Sequence, residues 1–303
     1  MKILLFGKNG QVGSELSQSL QPLGKVTALD RNTNHEGLCG DITDFVKIHD
    51  VFEKICPDIV VNAAAYTAVD KAENEPYKAD LVNHLSLENL AKLTKKHQAL
   101  LIHYSTDYVF DGSGHNPWTE DSPTNPLNVY GQSKRNGELA LERSGVNFLN
   151  LRTSWVYGIH GHNFIKTMLK LAKTHETLNI IHDQVGSPTS ARLIADITSQ
   201  IIRYYQLKSN QTVFGHYHLA PNGVCSWYEY ANFIFEHAKK LGLELTIKKV
   251  NAITSKDYPT PAKRPHNSRL DTHKLQHNFD ICLPQWQQNV YQALGELIHD
   301  KTA

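Results

Sequence analysis

The chain has 303 residues, 40% of them hydrophobic and 20% charged, enough to bury one large or two small cores. Lys and Arg number 31 against 30 Asp and Glu, and a formal net charge of +1 argues against a nucleic-acid partner, although a small phosphorylated ligand needs only a few cations or backbone amides. Cys39, Cys56, Cys225 and Cys282 form no C-x-x-C pair and no segment approaches the roughly 18 apolar residues of a membrane helix, so a reduced, cytoplasmic protein without a membrane partner is expected.

Lys2 to Phe6 is an almost wholly apolar run, the pattern of a central parallel strand covered on both faces. It feeds the turn Gly7-Lys8-Asn9-Gly10-Gln11-Val12-Gly13 and then a helical pattern. Glycines at that spacing let the turn close and bring a pyrophosphate up to backbone N–H groups at the positive end of the helix, which points to dinucleotide binding. Lys25 to Leu29 reads as a second strand, ending at Asp30 and Arg31. An acidic residue there takes the ribose hydroxyls of NAD, whereas Arg31 suits the 2′-phosphate of NADP, so NADH and NADPH both stand at this point. Asp41, ahead of a helical stretch from Phe45 to Cys56, either caps that helix or meets the adenine.

Pro57 to Val61 reads as a third buried strand, and the small residues that follow, Asn62 to Ala65, let a flat ligand lie against the backbone. Ala68 to Asn74 and Pro76 to His97 look helical. Ala99 to Tyr104 forms the next strand and delivers Ser105, Thr106 and Asp107 to the same edge. Alternation sends Ser105 and Thr106 to opposite faces, so only one should reach a ligand. After a loop rich in Gly and Pro come Tyr130 and Lys134, which on a helix share one face about one turn apart. A phenol with a pKa near ~10 is a weak acid at neutral pH, and a neighbouring ammonium stabilises the phenolate it leaves behind. The pair reads as a proton donor.

That helix runs to about Arg143, Val146 to Leu151 forms a further strand, and Trp155 beyond its carboxyl end is placed to wall a pocket. Later helices are expected over Phe164 to Thr174, Ser190 to Tyr205 and Trp227 to Leu241, with strands at Leu178 to Ile181 and Tyr217 to Ala220. Asn251 to Leu270, with three prolines and four cationic residues, reads as an ordered loop whose Arg264, with Lys263 and Arg269, suits a diphosphate. The pairs His160-x-His162 and His216-x-His218 lack a suitably spaced third ligand, so no metal is expected.

The glycine turn, NAAA at Asn62 to Ala65, STD at Ser105 to Asp107 and Y-x-x-x-K at Tyr130 to Lys134 together resemble the extended short-chain dehydrogenases/reductases. More narrowly, LLFGKNGQVG, VVNAAAYTAVDKAE, HYSTDYVFDG, PLNVYGQSK, LRTSWVYG, DQVGSPT and YPTPAKRPHNSRLD are similar to the dTDP-4-dehydrorhamnose reductase family, over nearly the whole chain. The resemblance implies a Rossmann-type, doubly wound parallel α/β sheet with a smaller C-terminal α/β substrate-binding domain. Residues 1–155 would bind the dinucleotide, with 178–218 returning to them; residues 156–177 and 219–303 would bind the sugar nucleotide.

The implied reaction is NAD(P)H-dependent reduction of the C4 ketone of dTDP-4-dehydro-β-L-rhamnose, with NADPH favoured. Tyr130 would donate the proton, Lys134 would lower its pKa and hold the nicotinamide ribose, and Thr106 would hydrogen-bond near the reacting oxygen. Cofactor contacts would fall on Gly7, Gly10, Gln11, Val12, Gly13, Asp30, Arg31, Asp41, Ile42, Ala65, Tyr66, Thr67, Tyr104, Tyr130 and Lys134. Substrate contacts would fall on Thr106, Asp107, Trp155 and Arg264. Some members bind magnesium between two protomers through glutamates, but Arg192 stands at one such position here and cannot ligate a cation. A monomer and a homodimer are both compatible with the sequence. Sugar-nucleotide dehydratases carry Thr-Asp-Glu where this chain has Thr106-Asp107-Tyr108, which favours plain reduction. A non-catalytic relative, the NADP-binding regulatory subunit of methionine adenosyltransferase, is the other rival; the intact Tyr130, Lys134 and Thr106 favour catalysis.

Overall fold

The computed structural model describes residues 1–208 and 213–299. Residues 209–212 and 300–303, which fall within the ranges expected for the first domain's return and the second domain's end, lie outside the described residues. In chain order the first half comprises β1 (Lys2–Phe6), α1 (Gln11–Ser19), β2 (Lys25–Leu29), α2 (Phe45–Ile55), β3 (Ile59–Asn62), α3 (Val69–Ala72), α4 (Pro76–Asp80), a π-helical turn (Leu81–Leu85), α5 (Ser86–Lys96), β4 (Leu100–Thr106) and α6 (Val129–Ser144). The second half comprises β5 (Phe148–Thr153), β6 (Val156–Tyr157), α7 (Phe164–Ala172), β7 (Thr177–Ile181), β8 (Val185–Gly186), β9 (Thr189–Ser190), α8 (Ala191–Leu207), β10 (Gly215–His218), β11 (Cys225–Ser226), α9 (Trp227–Lys240), β12 (Lys249–Ile253), α10 (His273–Phe279) and α11 (Trp286–His299).

Six parallel strands form the main sheet in the order β10-β5-β4-β3-β1-β2. The strand order reverses between β1 and β3, so the connections after them leave on opposite sides and open a crevice at the carboxyl edge. The alternation of β1 shows how the sequence builds both layers. Ile3 and Leu5 pack with Leu16 of α1 and Ile194 of α8, while Leu4 and Phe6 pack with Ile48, Phe52 and Leu87 of the opposite layer. Each such fully buried side chain contributes about 1.5–3 kcal/mol, which fixes the register of the strand that ends at Gly7.

A second core joins α7, α9, α11 and the two-stranded sheet of β7 with β12, around Ile165, Met168, Ile180, Tyr230, Ile234 and Leu294. Three differences from the sequence expectation concern which partner an element finds. Residues 178–181 pair with β12 and Ile180 packs into the second core, so the return to the main sheet begins later, with α8 and β10. Leu275, Phe279, Ile281 and Leu283, from the range 219–303, pack back into the first core instead. Asn251, Ala252 and Ile253, read as the start of a loop, pair with Asn179, Ile180 and Ile181. Short strands and single amphipathic turns carry no local mark of the sheet they will join.

Candidate active site

Gly7 has φ +85 and a Cβ there would lie 2.7 Å from the Ala64 nitrogen, so the turn after β1 presses directly on the backbone leaving β3. Gly13 allows a closer approach still, since a Cβ would sit 2.0 Å from the Gly7 carbonyl oxygen. Gly10 caps α1 without a side-chain bond, leaving the first-turn N–H groups of Gln11, Val12 and Gly13 aimed at the crevice with the positive end of the helix behind them. Gln11 is held by Asn163, which donates to its Oε1 at 2.9 Å and also to the Gly158 carbonyl at 2.7 Å.

At the end of β2 the Asp30 carboxylate is already engaged: Asn32 N–H donates at 2.7 Å, Asn9 Nδ2 at 2.7 Å, and Lys8 Nζ lies 3.4 Å away. These partners, the Asn32 N–H foremost, hold its pKa below the ordinary value. Arg31 is exposed beside it. Asp44, not Asp41, caps α2; the Asp41 carboxylate accepts from the Thr43 N–H and hydroxyl at 3.0 and 2.7 Å, next to buried Ile42. Ala65 and Thr67 are exposed at the end of β3, and Tyr66 is fixed between them by Asn83, whose Oδ1 accepts from Tyr66 N–H at 2.9 Å and whose Nδ2 donates to the Ser133 hydroxyl at 2.9 Å. Asn83 sits on the π-helical turn, which sequence periodicity does not reveal.

Asn128 caps α6 by accepting from Gly131 N–H at 2.8 Å, which places Tyr130 in the first turn and Lys134 one turn on. Burial pushes the Tyr130 phenol up to about 12, opposed by a hydrogen bond between it and Thr106, and Lys134 falls to about 8 because it too is buried. Lys134 Nζ does not turn to the phenol as the spacing suggests. It donates to the Tyr104 carbonyl at 2.6 Å and lies 3.1 Å from His103 Nε2. Tyr104 therefore contributes its backbone here, while its phenol meets the Thr198 hydroxyl of α8 at 2.8 Å, inside the first core rather than along the crevice.

Thr106 and Ser105 separate as alternation along β4 requires: Thr106 joins Tyr130, and Ser105 turns toward Glu138. Burial raises Asp107 to about 6, with Ser268 and Thr106 hydrogen-bonding its carboxyl. Tyr108 meets the Tyr130 ring edge to face, centroids 5.6 Å apart at 77°. That contact depends on Gly131, where a Cβ would lie 2.2 Å from the Tyr108 carbonyl oxygen.

Beyond Tyr108 lies Arg264, whose guanidinium donates to Asp70 Oδ2 at 2.8 Å while the Ala262 N–H reaches Asp70 Oδ1 at 3.2 Å. Arg264 lines a cavity of about 1030 Å³ that has an apolar wall of Phe164, Met168, Leu178 and Trp227 and a lid from Tyr258 to Arg264. Trp155 does not line this cavity itself. With φ +48 it stacks on Trp227, centroids 3.6 Å apart at 13°, and so backs the wall that Trp227 forms. Arg192 bonds Glu296 at 2.6 Å with Glu15 and Asp196 nearby, so a guanidinium fills the place among these carboxylates and the set does not fit magnesium.

A family model described as the RmlD substrate binding domain matches residues 1–298. The dTDP-4-dehydrorhamnose reductase of Escherichia coli is 51% identical over 297 residues, 98% of either chain, and that of Salmonella typhimurium is 49% identical over the whole of both. The chain belongs to the dTDP-4-dehydrorhamnose reductase family. A crystal structure of the Bacillus anthracis dTDP-4-dehydrorhamnose reductase in complex with NADP superposes with a TM-score of 0.87 at 31% identity, covering 97% of this chain and 99% of that one. The ortholog from Clostridium acetobutylicum gives 0.86 at 34% identity over both full chains. Of the residues that build the site in this reductase-family chain, sequence reasoning missed Lys8, Asn83, His103 and Asn163. Only Lys8 carried a usable signal, a cation inside the glycine turn; the others act through long-range contacts.

Proposed function

We propose that the protein reduces the C4 ketone of dTDP-4-dehydro-β-L-rhamnose to the alcohol of dTDP-β-L-rhamnose, with NADPH as the favoured reductant and Tyr130 as proton donor. The observation that carries this reading is the Tyr130 phenol, bonded by Thr106 and one turn from buried Lys134, at the carboxyl edge of a sheet whose glycine turn accepts a pyrophosphate. Bound NADPH supplies the hydride.

The chain's own residues do the rest. The N–H groups of Gln11, Val12 and Gly13 take the pyrophosphate, with Gly7 and Gly10 letting it approach. Lys8 and Arg31 receive the 2′-phosphate; with Asp30 already bonded to Asn9 and Asn32, the adenosine end meets cations rather than a free acceptor. Asp41 and Ile42 border the adenine, and Ala65, Tyr66 and Thr67 form the wall along the nicotinamide half. Tyr130, raised by burial, is protonated at neutral pH and so has a proton to give the ketone oxygen as it becomes an alkoxide. Thr106 orients the phenol, and Asp107 faces the sugar. The cavity beside Tyr108 takes the nucleotide, its base against Trp227 and Phe164 and its diphosphate on Arg264 and Lys263. The first core thus serves the cofactor and the second the sugar nucleotide. Work with NADPH in the cytoplasm agrees with four free thiols.

The test is loss of nicotinamide absorbance when purified protein meets dTDP-4-dehydro-L-rhamnose with NADPH or NADH. Turnover with NADPH, and slower turnover with NADH, is expected. Cofactor binding without turnover would sink the reductase reading and favour a non-catalytic binding protein.

A further inference from the structure

His103 is a buried titratable side chain that touches Lys134 and has no role in the reduction proposed above. It lies opposite Asn62 in the β3–β4 register, and both side chains are almost fully buried, 3% and 1% exposed. Hydrogen-bond polarity around it is fixed from one end by a group that cannot flip. The Ala64 backbone N–H donates to Asn62 Oδ1 at 3.1 Å, so the other end of that amide, an NH₂, faces His103 Nδ1 at 3.2 Å. An NH₂ only donates, so Nδ1 must accept. A neutral imidazole carries one N–H, which therefore stands on Nε2, 3.1 Å from Lys134 Nζ. Burial, and then the neighbouring Lys134, hold its pKa well below the ordinary imidazole value, outweighing the Asn62 backbone, which pulls the other way.

We propose that His103 is a positioning residue for Lys134: held by Asn62 in the tautomer with its proton on Nε2, it donates to the Nζ lone pair and disfavours the ammonium form of that lysine. The opposite tautomer would set Nδ1–H against the Asn62 NH₂. An ammonium at Lys134 thus requires the chain from His103 through Asn62 to the Ala64 amide to be reset.

Among the charges near the pair, Glu138 opposes this effect by raising the Lys134 pKa, but burial outweighs it. Glu138, one turn further along α6, is neutralised by Arg152 of β5 through two bonds of 2.9 Å. Burial lowers the pKa of His216 of β10, and Asp107 bonds Ser268 and Thr106. Among the described residues no carboxylate hydrogen-bonds Lys134; its other bond is to the Tyr104 carbonyl. A lysine whose ammonium is disfavoured yields a proton readily. The inference rests on Tyr130 and Lys134 as the acid pair.

The experiment reads Lys134 directly, in protein labelled with ¹³C at lysine Cε, its resonance assigned with Lys134→Met. In wild type the Cε shift should titrate below the range of the surface lysines. In His103→Gln, whose side-chain oxygen accepts from an ammonium, the midpoint should rise by about one pH unit, a tenfold change in the protonation equilibrium. Asn62→Ala frees the ring to present Nε2 as an acceptor and should move it the same way. A midpoint that stays put or falls in either variant that folds overturns the proposal. Because this readout needs no turnover, a chain without reductase activity would sink the function and leave the test of His103 intact.

Discussion

Tyr130 and Asp107 sit within one hydrogen-bonded group with Thr106, yet burial moves them to different effect. Raising the phenol keeps it protonated at neutral pH, so Tyr130→Phe should lower kcat by about 10²–10⁴-fold while leaving the NADPH dissociation constant nearly unchanged. Equal turnover in that variant would show that the proton comes from elsewhere. Raising the Asp107 carboxyl to about 6 makes it a pH-dependent liability. Its folded value lies above its unfolded one, so its contribution to stability is complete below about pH 4 and is lost as pH rises through about 6. Asp107→Asn should match wild type in urea near pH 4 and exceed it by on the order of 2 kcal/mol near pH 7. A gap that does not change with pH would mean that the carboxyl is not held in its neutral form.

Helix α6 shows how an element can trade intrinsic propensity for contact. Glycine costs about 1 kcal/mol relative to alanine inside a helix, yet α6 keeps two where neighbours come close. A Cβ at Gly131 would lie 2.2 Å from the Tyr108 carbonyl oxygen, and one at Gly137 would lie 2.2 Å from that of Asn83. Both obstacles are backbone, which cannot swing aside. Gly137→Ala should therefore lower the unfolding free energy by about 1–3 kcal/mol, and Gly131→Ala should also reduce turnover by displacing Tyr108 from Tyr130. Gly295 in α11 has nothing within 4 Å of its would-be Cβ. Gly295→Ala should stabilise by up to ~1 kcal/mol, and denaturant midpoints of the three variants would reveal the opposite signs. Sequence periodicity places α6 correctly but cannot say which of its glycines face a neighbouring carbonyl.

For the whole molecule, the separation of two cores predicts separable ligand effects. Arg264→Ala removes a guanidinium from the cavity lid and should raise KM for the sugar nucleotide by about 10–100-fold without changing cofactor affinity. Lys8→Ala removes a cation beside Asp30 and should reduce the preference for NADPH over NADH about tenfold, measured as the ratio of kcat/KM at low salt. Parallel losses of both ligands in both variants would show that the cores do not divide the work. Much of this molecule is set by the chain alone. The apolar run of β1, the glycines after it, the small residues after β3 and the four-residue spacing of Tyr130 and Lys134 are local signals, because strand burial, turn closure and helix phase each act over a few neighbouring residues. Tertiary structure alone decided that Lys134 turns to Tyr104 and His103, that Trp155 backs Trp227, that β7 joins β12 and that Leu275 and Phe279 return to the first core. Those outcomes depend on which distant group completes a hydrogen bond or fills a cavity once the chain has closed, and residue spacing carries no record of it.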